Sequence, residues 1–179
     1  MRKVIHKAYM IWNFDKEEKW LNEMAAKGLT LVSAGFCRYE FEETLPGEYT
    51  VRLELLKNSP VHPESTAYLE FLEETGIEYV GKCLSWVYLR KRKADGGFEL
   101  YSDNDSRIKY LNRILRLALI VGIANFFIGA DNLFLCFSFD STINAMGLIN
   151  VCLGFFCLYG IVKLYKKRKK LMAEQLLYE

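Results

Sequence analysis

The longest stretch without basic residues lies between Arg116 and Lys163, and it restricts the possible folds more than any other feature. Its 46 residues contain no Lys or Arg, and only Asp131 and Asp140 carry a formal charge. A buried helix of a soluble protein commonly offers roughly 10 to 14 apolar residues, whereas a helix that crosses a bilayer needs about 20. The stretch is long enough for two crossings, so a membrane-spanning helical hairpin is predicted.

The second crossing is the better defined one. Residues 143–162 are twenty consecutive uncharged positions, which is the length that the hydrocarbon core requires. Gly147 and Gly154 lie seven residues apart on one helix face, and Asn144 and Asn150 offer hydrogen bonds. Small and polar residues in this arrangement favour close packing, either within the hairpin or within a dimer.

The first crossing has two possible positions. Residues 111–130 can span the bilayer if Arg113 and Arg116 extend their long side chains back to the inner interface. Residues 117–139 can span it instead if Asp131 lies inside the membrane, where an acidic side chain is costly. We favour the first position, in which Asp131 begins a short outer loop.

Basic residues flank the uncharged stretch on both sides. Because short cytoplasmic flanks of membrane helices carry an excess of Lys and Arg, both ends of the hairpin are predicted to be cytoplasmic. The outer loop would then end at residues 140–142, which cap the second helix. The residues predicted to lie at the membrane interface, near anionic headgroups of the cell membrane, are Arg113, Arg116, Lys163, Lys166, Lys167, Arg168, Lys169 and Lys170.

The charge of the chain changes sign along its length. Residues 1–105 carry 14 Lys and Arg against 18 Asp and Glu, a net charge of −4, whereas residues 106–179 carry ten against four, a net charge of +6. The N-terminal segment has too few apolar residues for a signal peptide, and the five cysteines form no disulfide framework. The predicted organisation is a cytoplasmic domain at 1–102, a linker at 103–110, a transmembrane hairpin at 111–165 with helices at about 111–130 and 143–162, and a basic cytoplasmic tail at 166–179.

Two helices are predicted within the cytoplasmic domain. Val4 to Trp12 is rich in strand-forming residues. Asp15 is a suitable N-cap for the following amphipathic segment, and Gly28 suits the position just after its end. Pro63 and Gly76 bound a second amphipathic segment in the same way.

The remaining segments are predicted to be strands. From Leu29 onward the sequence has a two-residue period. Residues 37–42 and 49–55 alternate apolar and polar side chains around a turn at 45–48, which indicates a hairpin with one solvated face. Residues 77–89 form a last strand, and 96–101 are a candidate edge strand. The order βαββαβ in about 90 residues is typical of an α+β, ferredoxin-like sandwich with both helices on one face of the sheet.

Reactive side chains are few. His6 lies in a strand and His62 precedes Pro63, so core or capping roles are predicted for both histidines. The acidic loop at 102–106 lacks the Gly and Glu that a calcium loop needs, and it is interpreted as a turn with Asp105 or Ser106 capping the next helix. No catalytic, metal-binding or cofactor-binding residue is predicted, and no cofactor.

The sequence lacks the common motifs for phosphate and nucleic-acid binding. The chain contains no GxxxxGK[ST] or GxGxxG sequence. The strand at 49–56 lacks the aromatic signature of RNA-recognition domains, and the domain is acidic, so nucleic acid is not a predicted partner. The basic run at 90–93 is assigned to contact with anionic headgroups.

Three segments carry a family resemblance: WLNEMAAKG at 20–28, YEF at 39–41 and ELYSD at 99–103. With these segments, residues 1 to about 115 resemble a bacterial family of small membrane proteins that is catalogued as a domain of unknown function. Its members are often encoded beside PadR-type transcriptional regulators. The resemblance implies a regulatory or stress-linked role and supplies no catalytic residues.

These observations lead to two functional hypotheses. The first is a non-enzymatic regulatory or adaptor protein of the bacterial inner membrane, whose cytoplasmic domain binds a protein or a small ligand and which can form a homodimer. The alternative is a membrane enzyme that uses clustered carboxylates or a divalent ion at the sheet face or the acidic linker. Composition favours the first hypothesis.

Overall fold

The computed structural model describes residues 2–139 and 144–176, with side chains described outside 135–146 and 176. The chain divides into two compact units, Met1–Ser102 and Asp103–Glu179. The first unit combines a six-stranded sheet with two α-helices, and the second consists of two long helices.

The first unit has the element order βαβββαββ. Short 3₁₀ turns at Ile11–Asn13 and Lys93–Asp95 precede the first helix and follow the last strand. The main elements are β1 (Arg2–His6), α1 (Phe14–Ala26), β2 (Leu29–Gly35), β3 (Arg38–Glu43), β4 (Tyr49–Leu55), α2 (Pro63–Glu74), β5 (Glu78–Cys83) and β6 (Trp86–Arg92).

The sheet is mixed, with the strand order β1-β3-β2-β5-β6-β4. All neighbouring strands are antiparallel except β2 and β5, which are parallel. The α+β class is therefore confirmed, but the six strands and their order differ from the predicted four-stranded ferredoxin-like arrangement.

Two hairpins account for the additional strands. The chain reverses at Cys37 between β2 and β3 and at Leu84 between β5 and β6, where φ is +53° and +56°. Neither position carries the Gly, Asn or Asp that usually marks a left-handed turn residue. Each segment therefore resembled part of a single strand in the sequence.

The predicted hairpin around residues 45–48 is wrong. β3 pairs with β1 and β2, and β4 pairs with β6 at the opposite edge of the sheet. In a flat sheet, four strand spacings would separate β3 from β4 by about 19 Å. The five connecting residues contain a turn in which Glu48 N donates to Leu45 O at 3.1 Å. Because this connection is short, the sheet must curl so that β3 and β4 approach each other.

Helix α1 packs against the inner face of this curled sheet. Its N-cap is Asn13, and the predicted cap, Asp15, lies inside the first turn. Trp20 contacts the rings of Tyr39 and Phe41 edge-on, with centroids 5.1 and 5.7 Å apart. Gly28 has the expected left-handed conformation after the helix, with φ +80°.

Helix α2 packs against the other face. Alternate residues of a strand point to opposite faces, and Trp86 of β6 contacts Phe14 of α1, with ring centroids 5.8 Å apart. Val87 instead belongs to a buried cluster with Leu72 of α2 and with Phe98. The prediction that both helices share one face is therefore wrong. Phe98 also shows that 96–101, a candidate edge strand, is irregular chain with a buried anchor.

Glycine is required where β2 and β5 meet. A Cβ atom added to Gly81 would lie 2.3 Å from the carbonyl oxygen of Ala34 and 2.7 Å from its nitrogen. These distances are far below van der Waals contact, and both atoms belong to backbone that cannot rotate away. The parallel contact at the centre of the sheet therefore depends on the absence of a side chain at residue 81.

The second unit contains α3 (Asn104–Phe139) and α4 (Asn144–Leu176). At 1.5 Å per residue, these helices of 36 and 33 residues are each about 50 Å long. The predicted linker at 103–110 and the predicted tail at 166–179 are thus helical from Asn104 and up to Leu176. Asp131, expected to begin a loop, lies within α3. The predicted cap at 140–142 lies outside the described residues.

The two long helices form an antiparallel hairpin with a close contact seam. A Cβ on Gly129 would lie 2.9 Å from the nitrogen of Val151, and one on Gly122 would lie 3.1 Å from the Cβ of Cys157. Gly147 and Gly154, predicted from their spacing to favour close packing, both face α3 in this seam. Small residues on both helices therefore allow the backbones to approach.

Candidate functional site

One candidate site is the basic end of the α3–α4 hairpin. Gln175 Nε2 of α4 donates to Asp105 Oδ1 of α3 at 3.0 Å, which places the start of α3 beside the end of α4. All the basic residues predicted at the membrane interface lie within about four helical turns of this end. They are Arg113 and Arg116 on α3, and Lys163, Lys166, Lys167, Arg168, Lys169 and Lys170 on α4.

These basic side chains differ in how far they are exposed. Arg116 on α3 and three of the six on α4, Lys166, Lys169 and Lys170, are exposed, whereas the other three on α4 are partly covered. Arg113 is also partly covered, and its guanidinium lies 5.7 Å from the centroid of the Tyr110 ring. Lys170 pairs with Glu174 at 3.8 Å. Across residues 104–116 and 163–176 there are ten Lys and Arg against the acids Asp105 and Glu174, a net charge of +8. This end of the hairpin is therefore strongly basic.

The acidic segment before α3 acts as a helix cap. Asp103 Oδ1 accepts a hydrogen bond from Ser106 N at 2.7 Å. This contact lowers the pKa of Asp103, because the hydrogen bond favours the ionised carboxylate. The cap is Asp103 and not Asp105 or Ser106, but the interpretation as a turn and cap agrees with the structure. Among the described residues, no group of three His, Cys, Asp or Glu side chains is arranged to hold a metal ion.

Both histidines lie away from any reactive cluster. His62 is the N-cap of α2, and its Nδ1 accepts from Glu64 N at 3.3 Å, which confirms the capping role. His6 is exposed on β1 and pairs in register with Arg38 of β3, so it is not a core residue.

In the basic run at 90–93, Arg90 and Arg92 make contacts within the sheet. Arg90 Nη2 lies 2.7 Å from Glu78 Oε2, Nη1 donates to Leu31 O at 2.9 Å, and the Arg90 side chain is only 13% exposed. Arg92 Nε donates to the hydroxyl of Tyr49 at 2.9 Å. Contact of Arg90 with headgroups is therefore ruled out by its burial, since its charge is already neutralised inside the fold.

A buried carboxylate that was not predicted from the sequence lies between α1 and the sheet. Glu17 lies in the first turn of α1, and its Oε1 accepts from the hydroxyls of Tyr39 at 2.7 Å and Tyr88 at 2.6 Å. Burial raises the pKa of Glu17, and the two hydrogen bonds oppose that shift. Burial and the nearby carboxylate also raise the pKa of both tyrosines. The helical spacing could have indicated the burial of Glu17, because it lies four residues before the buried Leu21 and therefore on the same face of α1.

A second buried carboxylate lies on the other face of the sheet. Glu54 of β4 is 3% exposed, and its two oxygens accept from the hydroxyls of Tyr68 and Tyr101, each at 2.8 Å. The alternating pattern of β4 had placed Glu54 on a solvated face. It is buried because α2 and the segment after β6 cover this face, which the pattern of one strand cannot reveal.

Neither carboxylate opens onto a described cleft. One open cleft, of about 560 Å³, is lined mainly by the end of α2, the start of β5 and the end of β6, and it includes Glu78 and Arg92. Another, of about 450 Å³, lies beside α1 and β4 and includes Glu18 and Arg52. Glu17 and Glu54 line neither. The hydrogen bonds of each carboxylate to two tyrosine hydroxyls instead hold the helices against the sheet.

The sequence comparisons identify the family. The family described as "Protein of unknown function (DUF2812)" matches residues 13–123, which is more than half of the chain. The chain belongs to this family. The matched range runs from the start of α1 through the first unit and into α3, whereas β1 and α4 lie outside it. No curated protein and no solved structure matches the chain significantly.

Proposed function

We propose that this protein is a membrane-anchored, non-enzymatic adaptor or regulator whose first unit binds a partner protein at the cytoplasmic face of the bacterial cell membrane. One observation carries the membrane assignment. The helices at Asn104–Phe134 and Gly147–Gln175 are apolar enough to cross a membrane, and only 22% and 28% of their most apolar windows are buried. A core helix of a soluble protein would be mostly buried. The exposed apolar side chains are therefore best accounted for by contact with lipid.

The basic end of the hairpin supports the orientation. Its exposed Lys and Arg side chains would lie among anionic headgroups, where each basic residue near the surface contributes about 1 kcal/mol. Because the basic residues of both helices lie at one end, that end is assigned to the cytoplasmic side, with both termini inside. The described part of the outer end, up to Phe139 and from Asn144, has no Lys or Arg within its last three turns.

The adaptor role rests on what the first unit offers. His62 and Asp103 serve as helix caps, and Glu17 and Glu54 are held by tyrosines. These contacts give structural roles to His62, Glu17 and Glu54 of the first unit and to Asp103, the first residue of the second unit. Joined to α3 after Ser102, the unit would be kept close to the membrane, which raises its effective concentration for a partner located there. The regulatory part of the proposal rests on the resemblance to a family whose members are often encoded beside PadR-type regulators.

The membrane assignment is tested by fractionation and by labelling. The full-length protein should remain with membranes after extraction with high salt and with alkaline carbonate. In a cysteine-free background, a membrane-impermeant thiol reagent should label an engineered cysteine at Ser138 in intact cells and should miss one at Lys57. Labelling of Lys57 and not of Ser138, or release of the protein by carbonate, would contradict the proposal.

The adaptor role is tested by complementation of a deletion strain. Full-length protein should restore the wild-type transcript profile, whereas a chain ending before Arg107 should fail or act without regulation. Alanine at His6, His62, Asp103 or Asp105 should change little. If one of these substitutions abolishes function in a protein that is folded and in the membrane, the enzyme hypothesis replaces the adaptor hypothesis.

A further inference from the structure

The two edge strands of the sheet in the first unit differ in whether side chains cover their outward backbone groups. At the β4 edge, Asn22 of α1 forms two hydrogen bonds with the backbone of Val51, each at 2.9 Å. One turn earlier, Glu18 Oε2 accepts from Leu53 N at 3.0 Å. These side chains occupy the positions that a further strand would use. The β4 edge is therefore closed to strand addition.

The β1 edge has no such cover within the described residues. Lys7 N donates to Cys37 O at 3.1 Å, so residue 7 and, by alternation, Ile5 and Lys3 direct their backbone groups toward β3. The N–H and C=O groups of Val4 and His6 consequently point away from the sheet. Within residues 2–102, these backbone groups have no hydrogen-bond partner, and the side chains of Val4 and His6 are exposed. This edge can accept another strand.

The charge of β1 restricts which strand can be added. Arg2, Lys3, His6 and Lys7 place basic groups on both faces of the edge. The Lys7 ammonium is held 4.4 Å from the centroid of the Trp20 ring, which fixes one of these charges at the edge. A second copy added antiparallel would set like charges against each other, which is destabilising. An incoming strand with acidic side chains would instead meet opposite charges on either face.

We propose that β1 is a docking edge for an extended, acidic segment of a partner protein, which adds to the sheet as a seventh strand. The segment would form main-chain hydrogen bonds with Val4 and His6 and ion pairs with the basic side chains of β1. This inference names the partner chemistry of the proposed adaptor role and rests on that role. A lipid surface fits less well, because headgroup phosphates accept hydrogen bonds but offer no N–H groups to the outward carbonyls.

The test uses full-length protein in phosphatidylcholine nanodiscs, which carry no net charge. The probe is a fluorescein-labelled octapeptide of alternating Glu and Val, compared by anisotropy with an octapeptide of alternating Lys and Val. Val4→Pro removes the outward N–H without removing a bond between β1 and β3, since proline is tolerated at such edge positions. Lys3→Glu reverses an edge charge, and Lys57→Glu is the matched control at an exposed loop position.

The acidic peptide should bind saturably, and the basic peptide should not. Binding should weaken about tenfold in Val4→Pro and in Lys3→Glu, as expected for one lost hydrogen bond or ion pair, and should be unchanged in Lys57→Glu. Amide exchange at Val4 and His6 should slow when the acidic peptide binds. If Val4→Pro fails to fold, Lys3→Glu and the exchange measurement still decide the question.

The docking edge would be overturned if the acidic peptide showed no saturable binding, if Lys3→Glu bound it as well as the wild type, or if amide exchange at Val4 and His6 were unchanged. In another outcome, phosphatidylglycerol vesicles displace the peptide while Val4→Pro binds those vesicles as well as the wild type does. That combination would assign the β1 edge to lipid and would also overturn the proposal. Because the assay is done in nanodiscs, these failures are separate from failure of the membrane assignment, which the carbonate extraction reports.

Discussion

Replacing Glu17 tests the buried carboxylate most directly. Its Oε1 is the shared acceptor of Tyr39 and Tyr88, whose side chains are only 3% and 4% exposed. Glu17→Ala deletes the acceptor and leaves the two buried hydroxyls with only each other. Glu17→Gln keeps a carbonyl oxygen at the same place, and its two lone pairs can still accept from both tyrosines.

The magnitude follows from the number of hydrogen bonds. A buried polar group that loses its partner costs about 1–3 kcal/mol, and the carboxylate also packs in the first turn of α1. We expect Glu17→Ala to lower the free energy of unfolding of the first unit by about 2–4 kcal/mol. Glu17→Gln should stay within about 1 kcal/mol of the wild type at neutral pH, because it removes the cost of burying a charge while keeping the acceptor.

The pH dependence has a definite sign. The pKa of Glu17 is raised above 4.5 by burial, so the folded state holds this proton to higher pH than the unfolded state. Stability therefore falls as pH rises through the window above 4.5, and the loss persists at higher pH. Glu18, whose pKa burial also raises, contributes with the same sign. Glu17→Gln should reduce the decrease in the free energy of unfolding with rising pH. Glu18 should account for the decrease that remains.

The assay is denaturant unfolding of the full-length protein in detergent micelles, followed by tryptophan fluorescence. All three tryptophans, at positions 12, 20 and 86, lie in the first unit, so the signal reports that unit alone. Glu23→Gln, an exposed change on the same helix, is the control and should leave both stability and pH slope unchanged. Wild-type stability in Glu17→Ala, or an unaltered pH slope in Glu17→Gln, would refute the reasoning.

Two further predictions concern close backbone contacts. Gly81→Ala should destabilise the first unit by about 2 kcal/mol or more, because its Cβ would overlap the backbone of Ala34; Gly35→Ala, where no atom lies within 4 Å, should unfold like the wild type in the same fluorescence assay. Gly129→Ala should separate α3 from α4 and slow disulfide crosslinking of cysteine pairs across the hairpin. Gly154→Ala, with ordinary 3.6 Å contacts, should leave that crosslinking unchanged.

Local signals in the sequence predicted the helices of the first unit well. Gly28 and Gly76 both adopt the left-handed conformation just after a helix, and Pro63 begins α2. These residues act through the conformation of one or two backbone units. Their effect on where a helix begins or ends can therefore be predicted without knowing the rest of the fold. The uncharged stretch likewise predicted two long apolar helices, because the pattern spans many residues.

Strand pairing was not predictable by the same means. The reversals at Cys37 and Leu84 occur at residues that rarely adopt positive φ, and the sheet imposes this conformation. The partners of β4 are fixed by the curl of the sheet around α1, which depends on all six strands. Pairing therefore arises from long-range packing and not from local preference.

The candidate site residues were predicted unevenly for a related reason. The basic residues of the hairpin are found from composition, because their position beside an apolar helix is a property of the sequence alone. The burial of Glu54 depends on Tyr68 and Tyr101, which approach from other elements. The alternating pattern of β4 describes the strand and contains no information about what covers it.

The two tyrosine-bound carboxylates have a common consequence for the fold. Apolar packing alone lets a helix slide along a sheet at small cost, whereas hydrogen bonds hold it at one position because they depend on distance and angle. Glu17 fixes α1 to β3 and β6 through two hydroxyls, and Glu54 fixes α2 and the chain after β6 to β4. Because Asn22 of α1 must also meet the backbone of Val51, the bond at Glu17 sets the register that keeps the β4 edge closed. The same contact would thereby leave β1 as the edge at which a partner strand can add.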